Sequence, residues 1–454
     1  MLPASRLPFC LLASTVALFA QLPIDPQLAA EIAKIKAIDN HAHPVRVTGA
    51  NDKDTEYDAL PVEVMEPYSE PIRTRDGSPE IFPAWRGLYG LAFTNRAPEH
   101  VHAAADRKRR IMREKGDGYS AWVLDQLGIE TMLANRVAMG RGLSSPRFVW
   151  VPFADALMYP LNNASLAAKN PDYKAFFEDE DRLLRRYLTE SGYSKAPGSL
   201  NEYLQKVITA TLERHKQSGA VAEKFEAAYL RSLDFGDPAK AEAERVYSRS
   251  AAEAPAGADY KILQDYLFRY IARECGRLGM AVHLHVAAGA GGYFNVGGAN
   301  PLLLEPVLND PTLRKTNFVM VHGGWPFTRE VAALLQKPNA YADFSEQSFF
   351  GYPRAVAGVI REWLELQPEK VLFATDAYPF SDQMGWEEAG WVASTTGRQA
   401  LGIALTGMLR DGEITRARAV ELARMALRDN ARKLYGFTGA PSPLRPVSVA
   451  RLHH

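Results

Sequence analysis

Four short apolar runs in this chain each end in an imidazole or a carboxylate. They are Ala37-Ile38-Asp39-Asn40-His41-Ala42-His43, Ala281-Val282-His283-Leu284-His285, Phe318-Val319-Met320-Val321-His322 and Val371-Leu372-Phe373-Ala374-Thr375-Asp376. Side chains at the ends of separate strands meet only if those strands lie side by side. A closed parallel barrel does this and gathers its functional residues at the C-terminal rim. Few other folds satisfy the pattern.

The remaining strands can be sought in the same way. Glu130 to Ala134, Phe148 to Ala154, Ala220 to Ala227 and Ala340 to Phe344 are short and mostly apolar. Near-continuous apolar character is what strands buried on both faces require. With helical stretches such as Tyr260 to Leu278, Thr328 to Leu335 and Arg354 to Leu366 between them, the order predicts a (β/α)8 barrel over residues 30–438. Two stretches are too long for ordinary loops, about residues 44–108 and 157–217. Both follow strand ends, so both are expected to rise from the catalytic face as a lid or cap. Helices are expected in the second at Tyr173 to Leu188 and Asn201 to His215, and a closing helix at Ile414 to Lys433. The glycine-rich stretch Gly289 to Gly298 reads as a mobile loop, and residues 439–454 as a flexible tail.

On a strand, residues i and i+2 share a side, so His41 and His43 can grip one metal. His285 lies nearer the rim than His283, which is expected to be a hydrogen-bonded inner-layer residue. His322 precedes Gly323-Gly324, which lets the chain turn sharply; it would bind a second metal or polarise a substrate carbonyl. Asp376 would bind the metal and act as general base towards a metal-activated water. Imidazoles with one carboxylate suit Zn²⁺, one or two per chain, with Mn or Fe as substitutes. Lys224, in an apolar strand between Glu223 and Glu226, has three readings. It could be carbamylated and bridge two metals, hold a substrate carboxylate as an ammonium, or form an ion pair with a glutamate. Arg231 and Arg136 are further candidate anchors for an anionic substrate, because the guanidinium fork fits carboxylates. His100, His102 and His215 read as surface or lid residues.

The chain has 454 residues with 53 basic and 53 acidic side chains, and no basic stripe that would suit nucleic acid. Arg6 followed by the uncharged Leu7 to Ala20 predicts a signal peptide over residues 1–20, cleaved between Ala20 and Gln21. Export to the periplasm or medium follows, without stable membrane insertion after cleavage. Removal of Cys10 leaves Cys275 alone, expected as a packed core thiol. The expected partner is a small-molecule substrate, and the composition is compatible with a homo-oligomer.

The set Ile38-Asp39-Asn40-His41-Ala42-His43-Pro44, the His285 strand, Val321-His322-Gly323-Gly324-Trp325-Pro326-Phe327, Ala342-Asp343-Phe344-Ser345, Phe373-Ala374-Thr375-Asp376-Ala377 and Asp429 to Gly436 resembles the amidohydrolase superfamily. The likeness is to its amidohydrolase-2 branch of TIM-barrel metal-dependent hydrolases. Within that branch, Glu223 to Arg231 and Thr375-Asp376-Ala377-Tyr378 are most similar to the amidohydrolase-like domain of nodulin/glutamine synthetase fusion proteins. The resemblance implies ligands at His41, His43, His285 and Asp376, with His322 as ligand or electrophile. Lys224 falls where binuclear members carry a bridging carbamylated lysine. The function it implies is hydrolysis of an amide-type C–N bond in a small, carboxylated substrate. Alternatives are non-oxidative decarboxylation and a catalytically inactive barrel that binds metal or ligand.

Overall fold

A computed structural model describes residues 24–49, 52–62, 70–249, 255 and 257–437. The expected signal peptide and tail lie outside these residues. The eight strands appear in the expected order: β1 Ala37–Ala42, β2 Ile129–Asn135, β3 Phe148–Val151, β4 Ala222–Phe225, β5 Ala281–His285, β6 Phe318–Val321, β7 Ala340–Asp343 and β8 Val371–Leu372. All neighbours pair in parallel, in the orders β1-β2-β3 and β4-β5-β6-β7-β8. Backbone hydrogen bonds join the two sheets at both seams. Lys224 N donates to Pro152 O and Ala154 N to Lys224 O on one side; Asn40 N donates to Phe373 O and Asp376 N to His41 O on the other. The ring is thereby a (β/α)8 barrel.

Two windows shorten for identifiable reasons. β3 stops at Val151 because Pro152 has no N–H to continue a ladder. β8 pairs regularly only over Val371–Leu372, since Asp376 turns into the left-handed region at φ 53°. Helices Gly257–Leu278, Thr328–Leu334, Pro353–Leu366 and Trp386–Arg410 cover the outside. The closing helix runs from Arg416 to Tyr435 with a π turn at Met425–Asp429. Its end plugs the barrel bottom: Ala431, Leu434, Tyr435 and Phe437 pack with the inward residues Ile38, Leu133, Val151, Ala222, Val319 and Leu372. Cys275 is fully buried in the outer core, as expected.

The two insertions behave differently. The first carries the helix Ile81–Tyr89 and the start of Pro98–Lys115, and its Asp58, Val62, Glu70, Pro71 and Ile72 line the cavity at the rim. The second carries Pro171–Glu190 and Leu200–Gln217, close to the expected helices. Among the described residues, none of the second insertion lines the cavity itself, although it packs on Tyr229, which does. Its apolar face is spent on the barrel wall, where Tyr187 OH donates to Phe153 O and Phe176 packs on Tyr229. No helix among the described residues is long and apolar enough to cross a membrane.

Candidate metal centre

The β1 end delivers His41 and His43, and the β8 end delivers Asp376 between them. His41 Nε2 lies 3.2 Å and His43 Nε2 3.6 Å from Asp376 Oδ1. His322 follows β6, with its ring 3.8 Å from both Asp376 Oδ2 and Glu346 Oε2. The His285 and His322 ring centroids are 4.6 Å apart. All these residues are at most 9% exposed. Among the described residues, three groupings have ligand atoms within 4.8 Å of one another: His41, His322 and Asp376; His285, His322 and Glu346; and His43, Asp58 and Glu226.

The backbone is bent to make this possible. Among the described residues, the non-glycine positions with positive φ are His322 at 70°, Glu346 at 58° and Asp376 at 53°, all three in this site. Such conformations cost of order 1–3 kcal/mol each and persist where the surroundings enforce them. The turn after His322 needs glycine. A Cβ on Gly323, at φ 58°, would sit 2.2 Å from the Trp363 ring and 2.7 Å from Asp343 O.

A layer beneath the rim orients the ligands. His43 Nδ1 donates to Tyr57 O at 2.8 Å, which leaves Nε2 basic. Asp343 accepts from Asn40 Nδ2 at 2.8 Å, His322 N at 3.0 Å, Ser345 N at 3.1 Å and the Ser345 hydroxyl. With its hydrogen given to Asp343, Ser345 Oγ accepts from His322 Nδ1–H at 2.9 Å. His322 Nε2 is then a bare lone pair. Nδ1 is also the ring atom 3.8 Å from Asp376 Oδ2 and from Glu346 Oε2. Asp39 accepts from Thr375 N at 2.9 Å and from its hydroxyl. His283 meets Tyr435 OH at 2.7 Å, and Tyr435 in turn donates to Asn40 Oδ1.

Burial sets the protonation states. It holds His43 down to about 3, reinforced by the Lys224 charge, and keeps His41, His285 and His322 well below the usual imidazole range. The rings are therefore neutral at pH 7, the form that ligates metal. Burial pushes Asp376 up to about 8, opposed by Lys224 and aided by Asp343 and Glu226; Glu346 is likewise raised. A nearby dication would favour their charged forms. Buried polar atoms without a hydrogen-bond partner are costly. Both His41 ring nitrogens, His285 Nε2 and Glu346 Oε2 lack one among the described residues. Neutral imidazoles, carboxylates and converging unpaired atoms fit a divalent cation.

Above this floor is a cavity of about 360 Å³, whose lining includes Trp325, Phe349, Phe350, Phe380, Tyr229 and Tyr378. Gly289 passes so close to Tyr229 that a Cβ there would lie 2.6 Å from its ring. Lys224 lines the cavity with its Nζ 3.2 Å from Glu226 Oε1. The two arginines are not brought to the cavity. Arg136 is fully buried, bidentate to Asp54 at 2.7 and 2.9 Å, and donates to Pro44 O and Ala138 O. Arg231 pairs with Asp265 at 2.7 Å and stacks over Phe235. Their charges are consumed by internal carboxylates. His215 is also not a surface residue: it is buried against Trp150 and Tyr187, 3.0 Å from Glu223. Sequence reading missed Glu346 and Asp58 in the cavity wall. Glu346 follows the β7 end, so the strand-end logic extended to β7 would have found it; Asp58 sits in an acid-rich insertion with no comparable signal.

Residues 157–437 match the Amidohydrolase family, and the chain belongs to it. It is accordingly an enzyme of the amidohydrolase superfamily. The matched stretch begins after His41 and His43, which the fold nonetheless brings to the same rim. Protein fluG of Emericella nidulans is 28% identical over 204 residues, 43% of this chain and 22% of that protein, so the chain spans about a fifth of that relative. Among solved structures, one assigned as a metal-dependent hydrolase from Lactobacillus casei aligns at TM-score 0.60 and 16% identity, over 90% of this chain and 97% of that one. Glucuronate isomerase from Caulobacter crescentus aligns at 0.61 and 15%, over 93% and 97%, and uronate isomerase from Thermotoga maritima at 0.55 and 12%, over 90% and 96%. These likenesses show the fold.

Proposed function

We propose that the enzyme is a metal-dependent hydrolase of an amide-type C–N bond in a small, carboxylated substrate. The observation that carries this is Asp376 held among His41, His43 and His322 at the cavity floor, with unpaired ring nitrogens beside it. His41, His43, Asp376, His285 and His322 would hold the metal, zinc by preference, one or two per chain. The bound metal supplies Lewis acidity and a water acidic enough to ionise near pH 7. Asp376 would serve as general base, accepting a proton from the attacking water and returning it to the leaving nitrogen. Ser345 and Asp343 keep His322 in one tautomer. Lys224 is the one ammonium among the described cavity-lining residues and would face the substrate carboxylate.

The test is release of amine from a panel of N-acyl amino acids by the zinc-loaded protein and its Asp376→Asn variant. Loss of a general base should lower kcat by about 10²–10⁴-fold with metal retained. Undiminished turnover in the variant would remove Asp376 from the mechanism. The aromatic wall of Trp325, Phe349, Phe350 and Phe380 favours a second reading, non-oxidative decarboxylation of an aromatic acid. Release of CO₂ from aromatic acids, with amides left intact, would select it. A binding protein without activity would retain ligand affinity in Asp376→Asn and turn over neither panel.

A further inference from the structure

Glu346 has no place in the mechanism above, yet the chain is strained to put it in the cavity. It sits at φ 58°, ψ −52°, and Gln347 N donates to Ser345 O across it. This is a γ-turn of the positive-φ form, rare and strained in proteins. The Glu346 side chain is 5% exposed and lines the cavity, and its Oε2 has no hydrogen-bond partner among the described residues. Glu226, another lining residue, likewise leaves Oε2 without one, although its Oε1 meets Lys224 Nζ at 3.2 Å. An ionised carboxylate oxygen left so is expensive to bury unless a positive group meets it.

The charge around the cavity is one-sided. Five described lining residues are acidic, Asp58, Glu70, Glu226, Glu346 and Asp376, against one ammonium, that of Lys224. Lys224 is matched by Glu226, and a metal held with His41, His43 and Asp376 would answer Asp376. Arg73, next to the lining residue Ile72, spends its donors on Ser348 O, Gly351 O, Glu80 and Thr396 instead. Aromatic rings accompany the unmatched Glu346. Phe349 N and Phe350 N donate to Glu346 O at 2.9 and 2.8 Å, so both lining rings stand on the turn that carries it. The Trp325 ring meets Phe350 edge to face, with centroids 5.7 Å apart. Aromatic faces attract cations, tryptophan most strongly. A buried, unpartnered carboxylate among such rings suits an organic cation better than an anion.

We propose that the substrate carries, besides its scissile amide, a cationic nitrogen group, an ammonium or a guanidinium, which Glu346 receives beside Phe349, Phe350 and Trp325. The proposal rests on the hydrolase reading and narrows its substrate class. With a carboxylate facing Lys224, the substrate is a zwitterionic amide, of which a diamino acid acylated on one amine is the simplest form.

The test is isothermal titration of the zinc-loaded protein at pH 7 with pentylguanidinium and its neutral isostere pentylurea. The guanidinium stays charged and free of zinc, so the pair isolates the charge. Charge-assisted hydrogen bonds exceed neutral ones, so the wild type should bind the cation about 10–100-fold more tightly than the urea. Glu346→Gln, with folding checked by near-ultraviolet circular dichroism, should lose that preference and bind the urea as before. Lys224→Met removes a repelling charge and should not weaken the cation. Turnover gives a parallel readout: Nε-acetyl-lysine and N-acetyl-6-aminohexanoate differ only in one ammonium, and the first should have the higher kcat/KM. Equal binding of the two probes by the wild type would overturn the proposal, as would a preference that persists in folded Glu346→Gln. Equal binding with amides still hydrolysed would leave the hydrolase reading standing. A Glu346-dependent preference for the cation with no amide hydrolysed would support the cation site and overturn the hydrolase reading.

Discussion

Replacing Arg136 with Met should unfold this protein more readily without touching its chemistry. Arg136 is fully buried, and so is the Asp54 side chain it grips through two hydrogen bonds of 2.7 and 2.9 Å. It also donates to Pro44 O and Ala138 O, tying the start of the first insertion to the end of β2. Removing one partner of a buried ion pair typically destabilises by about 3–5 kcal/mol, because the other charge is left uncompensated. Burial raises the Asp54 pKa, but Arg136 overrides this and holds it below the ordinary carboxylate value. In the wild type the pair therefore stabilises above the unfolded pKa, and this contribution fades as pH falls through the depressed folded value. In Arg136→Met burial is opposed only by the Arg46 and Glu56 backbone N–H groups and by the Arg46 guanidinium 3.6 Å away, so the folded pKa rises and the deficit is greatest at neutral pH, shrinking towards pH 4. Urea unfolding followed by tryptophan fluorescence at pH 7 and pH 4.5 would measure it. The double variant Arg136→Met/Asp54→Asn should recover part of the loss, since no charge is left unpaired. A loss under about 1 kcal/mol at pH 7, or a deficit that grows on acidification, would refute this account of Arg136.

Two other outcomes follow from the same geometry, and a third from the sequence. Ser345→Ala removes the acceptor for His322 Nδ1–H and should weaken zinc affinity about 10–100-fold with the fold intact, read by competition with a chromophoric chelator. Gly323→Ala puts a Cβ 2.2 Å from the Trp363 ring at a positive φ and should lower stability by more than about 1 kcal/mol in the same urea assay. Export with cleavage between Ala20 and Gln21 predicts a mature N-terminus at Gln21, checked by N-terminal sequencing of the secreted protein.

Much of the barrel was legible because buried parallel strands leave apolar runs of limited length, and all eight windows contain a strand. The HxH spacing at His41 and His43, and Asp376 after an apolar run, pointed to the rim for the same reason. The arginines misled. A guanidinium fits a substrate carboxylate and a structural one equally well, and only the fold shows that Asp54 and Asp265 had already claimed Arg136 and Arg231. His215 misled in the same way, since its partner Glu223 is eight residues away on a strand it packs against. Glu346 reaches the cavity through a backbone conformation that residue types do not announce. The second insertion could not be placed from its helices alone, because an apolar helical face gives no direction of packing.

The proposed metal position lies between His41, His43 and Asp376. Anomalous diffraction from zinc-equilibrated crystals, collected on either side of the zinc edge, addresses it without any substrate. We expect a peak between His41 Nε2, His43 Nε2 and Asp376, about 2.0–2.2 Å from each ligand atom. Density without a peak there, with those side chains instead hydrogen-bonded directly to one another, would contradict the claim.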